Sequence, residues 1–226
     1  MLADGGDTVR RVLILLAALA FVSAAVFPAG AHTAIGSGGY YNRRWKVDLH
    51  LPWRFASNYP TSPGGWRNNV QNAVEQWNSQ NQPLYWTLYG DVADFTWTAC
   101  PSTFERNVIH FQNADKPGYV KTCVWANDTN RIWSTNMNID SSGTTWYIGT
   151  STPGSTELDL WSVATHEWGH MSGSVTGGDG LGHFPESSSV CPSDSTRQSM
   201  CPTIYAGTIW MFDTASHDEH TFQAAY

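Results

Sequence analysis

Apolar residues alternate with polar ones, or recur at helical spacing, through the first half of the chain. Trp45, Val47, Leu49 and Leu51 alternate with polar neighbours and predict a half-buried strand, the first of a sheet. From residue 66 to residue 77, apolar side chains recur every three or four positions, as in an amphipathic helix. We expect the tryptophans of this helix to lie in the protein core.

Short runs of aromatic and β-branched residues, separated by turn residues, predict three or four more strands. These runs are residues 84–89, 108–111, 119–125 and 136–139. His110 lies inside one of them, where a lone histidine is usually packed or solvated, so we do not count it as a ligand. Residues 140–157 are rich in Ser, Thr and Gly and predict a long connection.

A second helix is predicted directly after this connection. Asp159 can cap its first turn, and Leu160, Val163 and Ala164 recur at helical spacing. Gly173 is expected to end the helix, because glycine readily adopts the left-handed conformation that turns the chain back.

The second helix carries the sequence H-E-W-G-H. His166 and His170 are four residues apart, so both lie on one helix face, where their ring nitrogens can converge on one metal ion. Glu167 then points beside the metal, where it can take a proton from a water molecule. This H-E-x-x-H spacing is typical of zinc peptidases. The simplest alternative is a surface helix with two solvated histidines.

Three segments together resemble one family of enzymes. They are H-E-W-G-H-M-S-G, G-L-G-H-F and S-M-C-P-T-I-Y, and they resemble the metzincin clan of zinc endopeptidases, with the matrixin-like members closest. The resemblance extends over residues 66–226 and is strongest after Asp159. It implies an α+β, zincin-like catalytic domain with a twisted mixed β-sheet, a backing helix and an active-site helix. A C-terminal helix is expected to begin at the capping box that Ser216 opens.

The same resemblance implies roles for residues after the helix. The family pattern H-E-x-G-H-x-x-G-x-x-H places Thr176 at the third ligand position, but His183 stands in a matching local frame seven residues later. We therefore predict His183 as the third zinc ligand, after a loop insertion at about residues 172–179; Asp179 and Glu186 are the alternatives. The resemblance also implies a methionine turn beneath the metal and a tentative wall for the substrate pocket. Met200 would form the turn, and Pro202, Thr203, Ile204 and Tyr205 would form the wall.

The activity implied is hydrolysis of peptide bonds by a zinc-activated water, with Glu167 as general base and one catalytic Zn²⁺. A protein or peptide substrate would bind in an extended form along an edge strand, and the chain is expected to be a monomer. The sequence does not decide whether the chain also binds Ca²⁺. Two alternatives remain: a secreted module that binds carbohydrate or cell wall through aromatic residues, and a zinc protein that the insertion has inactivated.

The chain begins with features of an export signal. Arg10 and Arg11 precede an apolar run at residues 12–27, and Ala29-Gly30-Ala31 supplies the small residues that signal peptidase requires. The run is shorter than the roughly 20 residues of a membrane span. We predict a signal peptide at residues 1–31 and a secreted catalytic domain at residues 32–226, without a membrane anchor. The net charge of −7 provides no electrostatic footprint for nucleic acid.

Four cysteines agree with an exported protein, because disulfides persist in oxidising compartments. We predict the pairs Cys100 with Cys123 and Cys191 with Cys201, since each closes a short local loop. A zinc site built from cysteines is the rival, but no C-x-x-C spacing occurs.

Overall fold

A computed structural model describes most of the predicted domain. All the described residues lie in one compact unit, residues 33–226. The predicted signal peptide, the insertion beyond Gly173 and the predicted C-terminal helix lie outside the described residues. No helix in the described part is long and apolar enough to cross a membrane. The structure describes residues 45, 49–62, 64–79, 84–100, 106–125, 128–173, 191, 199–201 and 203–208.

The described residues form a five-stranded mixed sheet against which two helices pack, so the predicted α+β class is confirmed. The strand order is β2-β1-β3-β5-β4; β4 runs antiparallel to β5, and the other pairs are parallel. Strands β6 and β7 form a separate parallel pair. In chain order the elements are β1 Leu49–Phe55, α1 Gly65–Asn78, β2 Leu84–Leu88, β3 Val108–Gln112, β4 Gly118–Trp125, β5 Asp128–Asp140, β6 Trp146–Tyr147, β7 Leu158–Asp159 and α2 Leu160–Ser172.

Helix α1 and strands β2, β3 and β4 match their predicted positions closely. Strand β1 is described from Leu49 and continues past the predicted run to Phe55, because the apolar alternation persists through Trp53 in the same register. Residues 46–48 of the predicted run lie outside the described residues. Trp45 is buried but lies before the strand. The tryptophan prediction for α1 is confirmed, since Trp77 is buried in the core and Trp66 packs against it.

Strand β5 has 13 residues and is much longer than the predicted run at residues 136–139. Met137 and Ile139 belong to the hydrophobic core. Asn136, Asn138 and Asp140 alternate with them, so they face the other side of the sheet, and they too are buried. The predicted run is the end of β5. Residues 128–135 are mostly polar in sequence and belong to the strand through their pairing with β4.

Residues 91–100 cover part of this polar face. The side-chain amide of Asn136 donates hydrogen bonds to the carbonyl oxygens of Trp97 (3.3 Å) and Ala99 (2.8 Å). The amide of Gln112 donates to both carboxylate oxygens of Asp94 at 2.9 Å. Buried polar side chains therefore obtain the partners that they need without apolar packing.

Both predicted disulfides are confirmed. Cys100 pairs with Cys123 and fastens the covering segment to β4. Cys191 pairs with Cys201, ten residues away in sequence. No free cysteine occurs in the described part of the chain.

His110 lies on the same covered face, fully buried, as expected for a packed histidine. Its Nδ1 donates to the Asp94 carboxylate at 2.9 Å, and its ring packs edge-on against Phe95. Burial lowers the pKa of His110 below its usual 6.5, although the hydrogen bond and the charge of Asp94 oppose this shift.

This pKa predicts how His110 affects stability. Below about pH 6.5 the unfolded chain protonates His110 while the folded chain keeps it neutral, so stability is lost as the pH falls. We expect the free energy of unfolding in urea to decrease between about pH 7.5 and about pH 5, and part of that decrease to be absent in His110→Asn. Equal pH dependence in the two proteins would show that His110 is not the group responsible.

Candidate metal centre

Helix α2 begins and ends at the predicted residues. Asp159 caps its first turn, accepting hydrogen bonds from the backbone N–H and the hydroxyl of Ser162 at 2.8 and 2.7 Å. Gly173 follows the last turn, but its φ of −170° and ψ of 177° are extended. The prediction of a left-handed Gly173 is therefore wrong: the chain leaves the helix in a conformation that any residue can adopt.

Helix α2 lies inside the protein, and every one of its residues except Trp161 is buried. Trp168 packs edge-on against Trp53 of β1 at 5.0 Å and Trp86 of β2 at 5.4 Å, measured between ring centres. Both faces of the helix are thus enclosed, which is unlike a surface helix with solvated side chains.

Two tryptophans outside α2 donate hydrogen bonds to its backbone. The indole N–H of Trp77 donates to the carbonyl of Thr165 at 2.9 Å, and that of Trp45 donates to the carbonyl of Met171 at 3.0 Å. These bonds hold the helix at points on either side of the H-E-W-G-H segment. The helix position is therefore determined by specific contacts as well as by apolar packing.

His166 and His170 meet on one face of α2, as their spacing predicts. Their Nε2 atoms are 3.1 Å apart, and the residues are only 4% and 8% exposed. The Nδ1 atom of His166 lies 2.5 Å from the carbonyl oxygen of Ser199. Because a carbonyl only accepts, Nδ1 carries the hydrogen, and Nε2 of His166 presents a lone pair.

This arrangement of nitrogens fits a zinc ion. Two nitrogens bound to one tetrahedral Zn²⁺ at about 2.0–2.1 Å lie roughly 3.3 Å apart, close to the observed separation. A carbonyl that accepts from the second ring nitrogen is the usual way in which proteins orient a zinc-bound histidine. The separation of 3.1 Å also allows a hydrogen bond from one ring to the other.

Glu167 is only 7% exposed and lies against the start of β4. Burial raises the pKa of its carboxyl group to about 8, and the positive charge of Lys116 opposes that shift. A cation beside Glu167 would favour its charged form and lower this pKa. The site therefore combines two histidines with a buried carboxyl group whose pKa is raised by burial.

Met200 lies in a turn against α2 and is completely buried. A Cβ atom on Gly169 would overlap the sulfur of Met200 and would lie 2.9 Å from the Trp77 ring. Glycine therefore fits position 169, between the two histidines, because the side chains of Met200 and Trp77 pack directly on the helix backbone there. The same turn contains Ser199, whose carbonyl orients His166.

The disulfide next to this turn yields a prediction. Replacing Cys191 and Cys201 by serine should lower the free energy of unfolding by about 2 to 4 kcal/mol and should also weaken zinc binding, because the turn that orients His166 is loosened. Denaturant unfolding and zinc analysis would measure the two effects. Replacing Cys100 and Cys123 is the matched control, expected to lower stability but not zinc content; equal zinc contents in both variants would contradict the prediction.

One of the predicted pocket residues, Ile204, lies at a groove of about 450 Å³. Ile204 lines this groove together with Lys116, Thr144 and Leu158, and it is partly buried against the core. Tyr205 is 37% exposed. Thr203 is partly exposed, and Pro202 lies outside the described residues.

The third ligand is not placed by this structure. His183 and the alternatives Asp179 and Glu186 all lie outside the described residues. Among the residues that are described, no group of three or more His, Cys, Asp or Glu side chains could hold a metal ion. His166 and His170 thus form the described part of the proposed metal site.

Several residues of the site carry no signal in the sequence. Ser199 acts through its carbonyl, and Gly118 matters because it has no side chain, so neither residue type indicates chemistry by itself. Gly169, by contrast, is a fixed glycine of the quoted family pattern, so the sequence did indicate it. Lys116 is a single exposed lysine whose proximity to Glu167 depends on tertiary structure.

Compared with protein-family models and with curated proteins, the sequence matches none. The likeness to metzincins therefore depends on the quoted sequence motifs.

Proposed function

We propose that the chain is a secreted, zinc-dependent endopeptidase with a matrixin-like catalytic domain, acting as a monomer on protein or peptide substrates. The observation that carries the proposal is the 3.1 Å separation of the His166 and His170 Nε2 atoms on a buried helix, with Glu167 between them in sequence. This separation is close to the roughly 3.3 Å expected for two nitrogens that bind one tetrahedral zinc ion.

His166, His170 and the predicted third ligand His183 would hold the ion. When bound, Zn²⁺ would supply a Lewis acid that lowers the pKa of water and stabilises negative charge on the substrate carbonyl oxygen. The carbonyl of Ser199 keeps His166 in the tautomer that such a site requires.

Glu167 would act as the general base. In its charged form it would accept a proton from the attacking water and then return that proton to the leaving amine. A buried position suits this role, because a carboxylate that is poorly solvated holds a proton more readily than one in water.

The substrate is proposed to bind in an extended form along β4, which lies at one edge of the sheet. Helix α2 packs against β4, and Glu167 contacts its first residue, Gly118. The groove lined by Ile204 and Lys116 would receive a side chain of the substrate.

The proposal is tested by incubating the purified mature chain, residues 32–226, with a denatured protein and measuring new amino termini. Zinc content is determined on the same sample, and a second sample is treated with a chelator. We expect hydrolysis in the first sample and none in the second. Binding of zinc without hydrolysis would instead favour an inactive zinc protein.

A second candidate, a carbohydrate-binding module, is favoured by two exposed aromatic residues. Tyr85 and Tyr89 are 46% and 52% exposed, and they lie in and directly after β2. The ring of Tyr85 packs against that of His50, and the guanidinium group of Arg54 lies over the ring of Tyr89; both contacting residues belong to β1. Binding to insoluble polysaccharide that is lost in a Tyr85→Ala, Tyr89→Ala variant would support this function, although it leaves the paired histidines of α2 unexplained.

A further inference from the structure

We infer, on the basis of the proposed function, that Gly118 is a positioning residue whose missing side chain leaves a notch in edge strand β4 for the carboxyl group of Glu167. Gly118 is the first residue of β4, and Glu167 lies in the second turn of α2. The two are distant in sequence and come together only because α2 packs against β4.

The three atoms nearest to the space at Gly118 all belong to Glu167. A Cβ atom at position 118 would lie 2.5 Å from Oε1, 2.6 Å from Cγ and 2.7 Å from Cδ of Glu167. Three atoms of one side chain would be too close at once, so a rotation of the terminal carboxyl group could not relieve the overlap. Glu167 would have to move as a whole.

The glycine is needed for space and not for backbone conformation. In the described part of the chain, Gly207 is the only glycine with a positive φ, so Gly118 adopts a backbone conformation that alanine tolerates. Replacing Gly118 by alanine should therefore leave the backbone of β4 unchanged and displace the side chain of Glu167.

Displacement of Glu167 matters for the proposed reaction because a general base works only within hydrogen-bond reach of the proton that it abstracts. A misplacement of about 1 Å can cost about a hundredfold in rate. The histidines are held separately, by the Ser199 carbonyl and by the buried helix, so zinc binding should be little affected.

The experiment compares Gly118→Ala with Gly90→Ala in the mature chain. Gly90 follows β2, and a Cβ there would meet nothing within 4 Å, so it is the matched control. We expect Gly118→Ala to lower kcat about ten- to a hundredfold, with KM and zinc content close to wild type. Gly90→Ala should keep wild-type kcat, KM and zinc content.

A double-mutant cycle shows whether Gly118 acts through Glu167. In a Glu167→Ala background, Gly118→Ala should cause no further loss of the residual activity. The same cycle is measured by urea unfolding, which needs no activity: Gly118→Ala should lower the midpoint when Glu167 is present and leave it unchanged when residue 167 is alanine.

A wild-type kcat in Gly118→Ala, an equal loss in both backgrounds, or loss of zinc from Gly118→Ala would each overturn the inference. Failure of the proposed function is recognised separately, because the wild-type chain itself would then show no hydrolysis. Gly118 would then have no positioning role in catalysis. The urea-unfolding cycle would in that case measure only the packing of Glu167 against Gly118.

Discussion

Replacing Glu167 by alanine is expected to lower kcat by about 10²- to 10⁴-fold while zinc stays bound, because only the proton transfer is lost. The fold should persist, since Glu167 occupies a notch at Gly118 and is not a member of the hydrophobic core. Initial rates on a peptide substrate and zinc content of the same sample measure the two quantities.

Glu75→Ala is the matched control for this substitution. Glu75 is exposed on α1, so removing its carboxylate should leave kcat unchanged. Near-normal turnover in Glu167→Ala would remove Glu167 from the mechanism, and loss of zinc from that variant would show that the carboxylate helps to hold the ion.

His183→Ala is expected to lose zinc and hydrolytic activity together, because two histidines alone do not complete a catalytic zinc site. Asp179→Ala and Glu186→Ala should retain both properties. Zinc content after gel filtration and peptide hydrolysis would be measured for the three variants side by side.

The insertion before His183 is compatible with this prediction, since the entropic cost of closing a loop rises only slowly with its length. Glycines at positions 177, 178, 180 and 182 favour a loop that bulges outward while its ends meet. If zinc content follows Asp179 or Glu186 instead, the assignment of His183 is wrong.

Features that depend on neighbouring residues in sequence were predicted well. The Asp159 cap, the extent of α2 and the meeting of His166 with His170 all follow from local spacing and capping chemistry. The disulfide pairs were also predicted, because short loops between cysteines favour local pairing.

Features that depend on distant contacts were missed or wrong. Strand β5 was predicted too short, because residues 128–135 are mostly polar in sequence and form a strand through their pairing with β4. The left-handed conformation predicted for Gly173 was wrong, since Gly173 is extended. The notch at Gly118 could not be predicted, because a glycine shows what it accommodates only once α2 and β4 are placed together.

The proposed function requires that bound zinc makes this chain a peptidase. The most direct measurement strips the purified mature chain with a chelator, removes the chelator, and adds zinc back in steps while following hydrolysis of a peptide. We predict that activity rises in proportion to zinc and stops rising at one ion per chain. Hydrolysis that does not depend on zinc, or a chain that binds zinc and never hydrolyses peptides, would contradict it.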